Sequence, residues 1–351
     1  MHSHDPERYL GDMLAYVHQS MTVEKSLLFA LFPVDQDNAA NLAALDKIFQ
    51  GMKAALVTRA KSILGNLSST ITIFKLTSLL EYYLNAFTTS LEGPLVIDTI
   101  KELHKMYYDS FFMTIHTQLD RLLSSPPAYP RDLSVALEVS EIIRRLSDVL
   151  AVRSSAVDEQ DDEEVVAPIL KAFIEPLLEL CRKSASGLDR SDASIYIINN
   201  ILAIQSSLTR YKNTSFWVQK LTSEISDWTD YLVSQQAQSI LGNSGISEKL
   251  ELIERADPST TLVMNPGLDA QSIKAVIDRF LKSLFSLSMP EFDSLSSPRL
   301  RTSARNATAS AIANAYERLY IAMHDRGGYT SEQLEEILVH SPQQVRQLLD
   351  V

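Results

Sequence analysis

An all-α fold is predicted by three observations on this chain of 351 residues. Apolar residues recur at three- and four-residue spacing in nearly every segment between chain breakers, which is the period of a half-buried helix. Those segments run to about 20–30 residues, long for helices of a globular domain and usual for bundles. Glycine (10) and proline (13) are too scarce for a fold built on tight hairpins or Gly-rich phosphate loops. The expected architecture is an elongated succession of antiparallel helical bundles.

The first helix opens at Asp5-Pro6-Glu7, where Asp5 can cap the free amides, Pro6 suits the first helical position and Glu7 favours the positive end of the helix dipole. Leu10, Met13, Leu14, Val17 and Met21 form its apolar stripe. A turn follows over Pro33–Asn38. Leu42, Leu45, Ile48, Phe49, Met52, Leu56 and Ile63 mark a second helix, stopped by Gly65-Asn66. The segment Leu67–Leu91 is ambiguous at Thr70-Ile71-Thr72-Ile73, which alternates like a strand. Leu76, Leu79, Leu80, Tyr83, Leu84 and Phe87 restore the helical period, so a helix is expected there too. Gly93-Pro94 opens a long helix through Ile97, Leu103, Tyr107, Phe111, Ile115 and Leu122, closed by Ser124-Ser125-Pro126-Pro127.

Further helices are expected at about Leu133–Val152, Val166–Ser184, Asp192–Tyr211, Ser215–Leu241, Ile246–Arg255, Ala270–Ser288, Pro298–His324 and Ser331–Val339, with a last turn from Ser341 to Leu349. Pro168 stands near a helix start, whereas Pro176 should kink its helix or end it early. Asp257–Leu268, with two prolines and a glycine, reads as a loop. Residues 153–165 carry low hydrophobicity and a charge block and read as a flexible acidic loop. It separates a first bundle region, 1–152, from a second, 166–351, with a possible division near 242–268.

The net charge of −12 is uneven. Residues 1–155 hold 14 basic and 17 acidic groups, a balance of −3; the remainder holds 18 and 27, a balance of −9, and six of those acids lie in Asp158–Glu164. There is no broad basic face, which disfavours nucleic acid and whole-surface docking on anionic lipid. The apolar runs fall well short of the ~20 residues of a membrane span. Cys181 is the only cysteine and sits in an apolar run, so it reads as a buried inert thiol, and with no disulfide possible the chain suits a reducing compartment. The N-x-S/T triplets at Asn66, Asn213 and Asn306 follow no signal peptide and read as chance occurrences.

Catalytic constellations are missing: no G-x-S-x-G elbow, Walker loop, G-x-G-x-x-G, H-E-x-x-H or C-x-x-C occurs. His104 and His116 stand twelve residues apart, about 120° around a helix, and cannot share a ligand. His18 reads as a hydrogen-bonded packing residue. Asp158, Asp161 and Asp162 leave open a helical-cavity enzyme that binds a magnesium diphosphate as terpene synthases do. The solvated-loop reading is favoured, because a second acidic motif on another helix is lacking. No cofactor and no metal ligand is therefore assigned.

The segment Arg8-Tyr9-Leu10-Gly11-Asp12-Met13-Leu14-Ala15-Tyr16-Val17-His18-Gln19 resembles one in the middle of subunit six of the conserved oligomeric Golgi complex, and His340-Ser341-Pro342-Gln343-Gln344-Val345-Arg346-Gln347-Leu348-Leu349 resembles that family's end. Between these ends the similarity is one of helical texture. The resemblance implies the carboxy-terminal part of a non-catalytic tethering subunit, without the amino-terminal coiled coil through which family members join. It implies a peripheral protein on the cytoplasmic face of the Golgi, acting in retrograde vesicle capture, with fellow subunits, Golgi SNAREs and small GTPases as partners and with Golgi glycosylation depending on it. A subunit of another helical-rod tether, such as exocyst, is the neighbouring alternative.

Two groups of residues are candidate partner contacts. Arg299, Arg301 and Arg305 follow Pro298 at a helix start, where each positive charge opposes the dipole by roughly 0.3–1 kcal/mol; solvation or pairing with acids of a neighbouring helix is the plainer reading, and contact with an acidic partner the sharper one. Arg301 and Arg305, four apart, share a face. Phe285, Met289 and Phe292 belong to a segment whose default reading is burial, with an exposed apolar loop that receives a partner helix as the alternative. The aromatic stripe Tyr107, Tyr108, Phe111, Phe112 and the pair Trp217, Trp228 are expected in the core.

Overall fold

The computed structural model describes residues 5–33, 38–91, 94–156, 162–285 and 289–350. Among them there is no strand; the chain is a run of α-helices with three short 3-10 turns. It divides into two compact units. The first comprises Met1–Pro126, Ser140–Leu180 and Ser207–Phe216; the second comprises Pro127–Val139, Cys181–Ser206 and Trp217–Val351. Both units draw on segments that are separated in sequence.

The first unit is built on α1 (Pro6–Leu31), α2 (Ala39–Gly65), α3 (Thr70–Ser90) and α4 (Pro94–Ser124). Asp5 caps α1 by accepting from the Arg8 amide, and Ser69 caps α3 by accepting from Thr72. That cap, with Ile73, Phe74, Leu76 and Leu80 buried at helical spacing, settles the Thr70–Ile73 ambiguity as helix. Cross-helix contacts give the directions. Glu7 pairs with Lys75 at 3.2 Å and His18 meets Ser90 at 2.8 Å, so α1 and α3 are parallel. Lys53 pairs with Glu102, and the Tyr107 hydroxyl donates to Ala60 O at 2.8 Å, so α2 and α4 are parallel too. Gln118 reaches Thr70 while Phe111 packs on Phe74, so α3 and α4 are antiparallel. An up-down-up-down four-helix bundle results. Its core contains Leu10, Leu14, Val17 and Met21 from α1, Leu45, Phe49 and Leu56 from α2, Leu80 and Phe87 from α3, and Ile100, Leu103 and Tyr107 from α4.

Helix α5 (Leu137–Ala156) begins four residues later than expected, for a local reason. Leu133 holds φ at 56°, a left-handed conformation no helix continues through, inside a turn closed by Leu133 N donating to Pro130 O. At its other end α5 remains helical to Ala156, and α6 (Asp162–Ser184) already begins at Asp162. The helices thus enter both flanks of the expected acidic loop, and 157–161 lie outside the described residues. Within the first unit, Arg145 donates to Gln118 at 2.6 Å and the buried Arg153 pairs with Glu81 at 2.6 Å, laying α5 along α4 and α3. Of the two outcomes expected at Pro176, a kink or an early end, the early end does not occur. The helix runs unbroken through Pro168 and Pro176, with Ile169, Leu170, Phe173, Ile174 and Leu177 buried around them; that burial outweighs the amide each ring removes.

The second unit contains α7 (Arg190–Leu208), α8 (Ser215–Ser244), α9 (Ile246–Arg255), α10 (Ala270–Phe285), α11 (Pro298–Arg326), α12 (Ser331–Ile337) and α13 (Pro342–Leu348). Gly245 joins α8 to α9 with φ at 88°, and a Cβ there would stand 3.3 Å from Val276 Cγ2. Helix α11 is the unit's hub. Phe280 of α10 stacks on its Tyr316 at 5.6 Å, Arg318 pairs with Glu254 of α9, and Arg346 of α13 bonds both Asn314 and Glu317 at 2.7 Å. The short helices α12 and α13 are each held by a complete capping box, at Thr330/Gln333 and Ser341/Gln344.

Tyrosines in this unit give a pH expectation. Burial pushes the phenols of Tyr196, Tyr316 and Tyr329 up to about 12. In the unfolded chain a phenol ionises near 10. The fold therefore favours the neutral form, and this stabilisation is intact below pH ~10 and drains away as pH rises toward 12. The urea midpoint of the second unit should fall between pH 9.5 and 11.5 (about two units of range around these values), with phenolate absorbance rising together with unfolding. A midpoint constant over that range contradicts the expectation.

Candidate functional site

The expected partner contacts lie at the start of α11 and just before it. Ser297 caps the helix by accepting from Leu300 N, and Pro298 takes the first position. Arg299 is exposed, and Arg301 is half-buried, its Nε enclosed with no protein partner. Arg305 donates to Asp293 Oδ1 at 2.7 Å, which ties α11 to the 3-10 turn Pro290–Ser294. That turn sends Phe292 inward. With 0% exposure the ring is a core residue, so the alternative of an exposed apolar loop does not hold for it. Met289 is only 9% exposed, while Phe285 projects with 74% of its surface in solvent.

Met289 and Arg305 do come together. With Leu284, Asn306, Ala309, Leu348 and Leu349 they line a cleft of about 380 Å³. Its lining comes from α10, α11 and the end of α13, so the terminal His340–Leu349 segment builds part of the surface beside Arg305. Tyr316 fastens that segment by donating to His340 O at 2.7 Å, and Val345 is fully buried. Arg299 and Phe285 do not line the cleft.

Two surfaces were missed in the sequence. The first lies on α1. Its buried stripe faces the bundle, but a second stripe, Tyr16, Val23, Leu27 and Leu31, continued by Phe32, is exposed. The solvent-facing positions from Ala15 to Phe32 (Gln19, Thr22, Ser26 and Ala30 are the others) carry no charge. The signal was present, since 16, 23, 27 and 31 share a face about 100° from the buried stripe; reading one stripe per helix hid it. The second surface is a cleft of about 510 Å³ lined by Arg190 and Ala193 of α7 and Asp227, Trp228 and Tyr231 of α8. Trp217 is buried as expected, with Lys220 Nζ 4.6 Å from its ring centre. Trp228 instead is half-exposed, its ring edge-on to Tyr231 at 6.2 Å.

The remaining reactive side chains have structural occupations. Cys181 is buried, and burial drives its thiol up to about 12. His18 bonds Ser90 and packs edge-on against Phe87. His104 stacks on Tyr108, and burial lowers its pKa, an effect to which Glu81 and Arg153 add opposing contributions. Of the acidic triad weighed for a metal, Asp158 and Asp161 lie outside the described residues. Among the described residues no group of three His, Cys, Asp or Glu could hold a metal ion, and no helix is long and apolar enough to cross a membrane.

Helical bundles of this kind place the chain in a recognisable structural class. It superposes on the exocyst subunit Exo70p with a TM-score of 0.66 over 98% of this chain and 72% of that one, and on a second Exo70 structure from S. cerevisiae with a TM-score of 0.63. At 14% identity these likenesses are of fold alone: an all-α bundle fold shared with a tethering-complex subunit. The sequence is more specific. The family described as Conserved Oligomeric Golgi complex subunit 6, C-terminal, matches residues 1–349, and the chain belongs to that family. Proteins named conserved oligomeric Golgi complex subunit 6 are 28% identical in Rattus norvegicus and in Homo sapiens over 99% of this chain, and 26% identical in Arabidopsis thaliana over all of it. The chain spans 54% of the two mammalian relatives and 60% of the plant one, a little over half their length.

Proposed function

We propose that this chain is a protein-docking portion of a Golgi vesicle-tethering complex and works through contacts with other proteins, without a catalytic step. The observation that carries this reading is the family match, which runs almost from the first residue to the last. The molecular surface supports it. A docking protein needs apolar area that its own fold leaves uncovered, and the exposed apolar stripe of α1 and the cleft beside Trp228 and Tyr231 supply it. Within this reading the chain is a peripheral protein of the Golgi's cytoplasmic face that aids retrograde vesicle capture. Its partners are fellow subunits of the complex, Golgi SNAREs and small GTPases, and the distribution of glycosylation enzymes depends on it.

Capture of purified fellow subunits and of Golgi SNARE cytoplasmic domains by this chain is the direct test. Retention of at least one is expected, and none, with protein shown to be folded, removes the docking reading. The arginines at the start of α11 are proposed to meet acidic side chains of such a partner. Arg301→Glu with Arg305→Glu should leave the helix content intact, because the Arg305–Asp293 pair is solvent-exposed on both sides and such pairs contribute about 0–1 kcal/mol. Partner retention should fall roughly tenfold or more, the scale of losing two charge-assisted contacts. Unchanged capture by the double variant would discard the arginines as contacts and leave the wider reading standing.

A further inference from the structure

We infer that the aromatic cleft between the start of α7 and the middle of α8 is a docking point for an arginine side chain of a protein partner. The inference names the chemistry of one contact within the docking reading above and rests on it. The cleft offers the two things a guanidinium seeks. Trp228 and Tyr231 line its wall, and a planar cation over an indole face is held by the ring quadrupole. Asp227, also in the lining, supplies a carboxylate that a stacked guanidinium can reach with its edge while its face stays on the ring. Ala193 is the small residue opposite, so the cleft stays open where a larger side chain would fill it.

Charge around the cleft has the complementary sign. Asp230 is exposed between Trp228 and Tyr231 in sequence, and Asp189 and Asp192 flank Arg190 at the start of α7. Asp192 stands above the usual carboxylate range, first because it is partly buried and then because Asp189 and Glu291 crowd it with like charge. No cation of the chain answers these acids in the contacts seen: Asp189 accepts from the amides of Ser191 and Asp192, Glu291 accepts from Gln236 Nε2, and Arg182 donates to Glu224. Arg190 is the one cation in the lining. Carboxylates gathered beside an open aromatic wall are relieved by a cation that arrives from outside, and a guanidinium satisfies rings and carboxylate together. An ammonium, a compact and strongly hydrated point charge, satisfies only the second.

The test uses the intact chain and three short acetylated and amidated peptides identical but for two arginines, two lysines or two glutamates. Tryptophan fluorescence reports binding, and Trp228→Phe identifies the part of the signal that belongs to the cleft. The arginine peptide should perturb Trp228 and bind several-fold more tightly than the lysine peptide, with no response to the glutamate peptide. Asp227→Asn should weaken the arginine peptide at least threefold, and Arg190→Ala should strengthen it; general attraction to a chain of charge −12 gives the same signs, so the preference for arginine over lysine is the result that isolates the cleft. Circular dichroism of each variant separates lost binding from lost fold. No perturbation of Trp228, equal binding of lysine and arginine, preference for glutamate, or both substitutions acting in the same direction would each overturn the inference. Capture of Golgi partners is measured separately and can succeed when the peptide fails, so the two readings fall independently.

Discussion

Asn199→Leu is expected to destabilise the second unit by about 3 kcal/mol, although leucine matches asparagine closely in volume. Asn199 lies on α7 at 2% exposure, and its amide group joins three stretches of chain. Nδ2 donates to Leu133 O and to Ser294 O, both at 2.9 Å, while Oδ1 accepts from Ser296 N at 2.7 Å. Leu133 is the residue held in the left-handed region, and Ser294 ends the 3-10 turn that carries Phe292 and Asp293. Leucine would bury beside two carbonyls and an amide that have lost their bonds. The Leu133 carbonyl is the most deeply buried of these and should dominate the cost.

Asn199→Asp adds a pH signature. A carboxylate can still accept from Ser296 N but faces two carbonyl oxygens with like partial charge, so its pKa in the fold rises above the ordinary value. The protonated acid, which can donate to one of those carbonyls, is the form the fold tolerates. Loss of stability relative to the native residue should then be smallest below pH ~4 and should deepen as pH rises above it. Urea unfolding of both variants at pH 5 and 7.5 checks this. A leucine variant within 1 kcal/mol of the native chain (a bound set by one ordinary hydrogen bond) would mean that the three contacts do not organise the unit.

How far such features can be read in advance depends on what periodicity encodes. It records which face of a segment is apolar, and that sufficed for most of the stripes of α1, α2 and α4, which supply the bundle core, although Ile48 of the α2 stripe is exposed. It also carried α3 past the Thr70–Ile73 alternation, because one tertiary face had to be continuous. It does not record what covers a face. Tyr16, Val23, Leu27 and Leu31 share a face at helical spacing, as Leu10, Leu14, Val17 and Met21 do, yet among the described residues only the second set is buried. Trp228 went wrong and Phe292 stayed undecided for a related reason: a ring's burial is decided by the turn or helix packed against it, and those partners are remote in sequence. The start of α5 depended on one backbone angle at Leu133, which Asn199, 66 residues away, helps to hold. The arginines were legible as an unfavourable charge at a helix start, and the pairing of Arg305 with Asp293 was legible only as one of several possible acids.

Helix α4 supplies the second large effect. Tyr107→Ala should cost the first unit about 5 kcal/mol, the sum of a large-to-small core loss of roughly 3–5 kcal/mol and a hydrogen bond of about 1 kcal/mol, less some collapse of the cavity. Tyr107 has no exposed surface, its hydroxyl donates to Ala60 O at 2.8 Å, and burial drives its pKa well above the ordinary phenol value. Tyr107→Phe separates the two contributions. It keeps the ring and loses the bond, and the Ala60 carbonyl keeps its own helical partner, so the expected cost is only about 1 kcal/mol. Tyr108, next in sequence, provides the contrast. It is half-buried and packs between His104 and Phe112 along the outer side of α4, so its replacement by alanine should cost about 1–2 kcal/mol. The order alanine at 107, then alanine at 108, then phenylalanine at 107 follows from burial and bonding alone. Equal losses at 107 and 108 in chemical unfolding would mean that α4 does not turn Tyr107 toward α2, and the up-down-up-down bundle would fall with it.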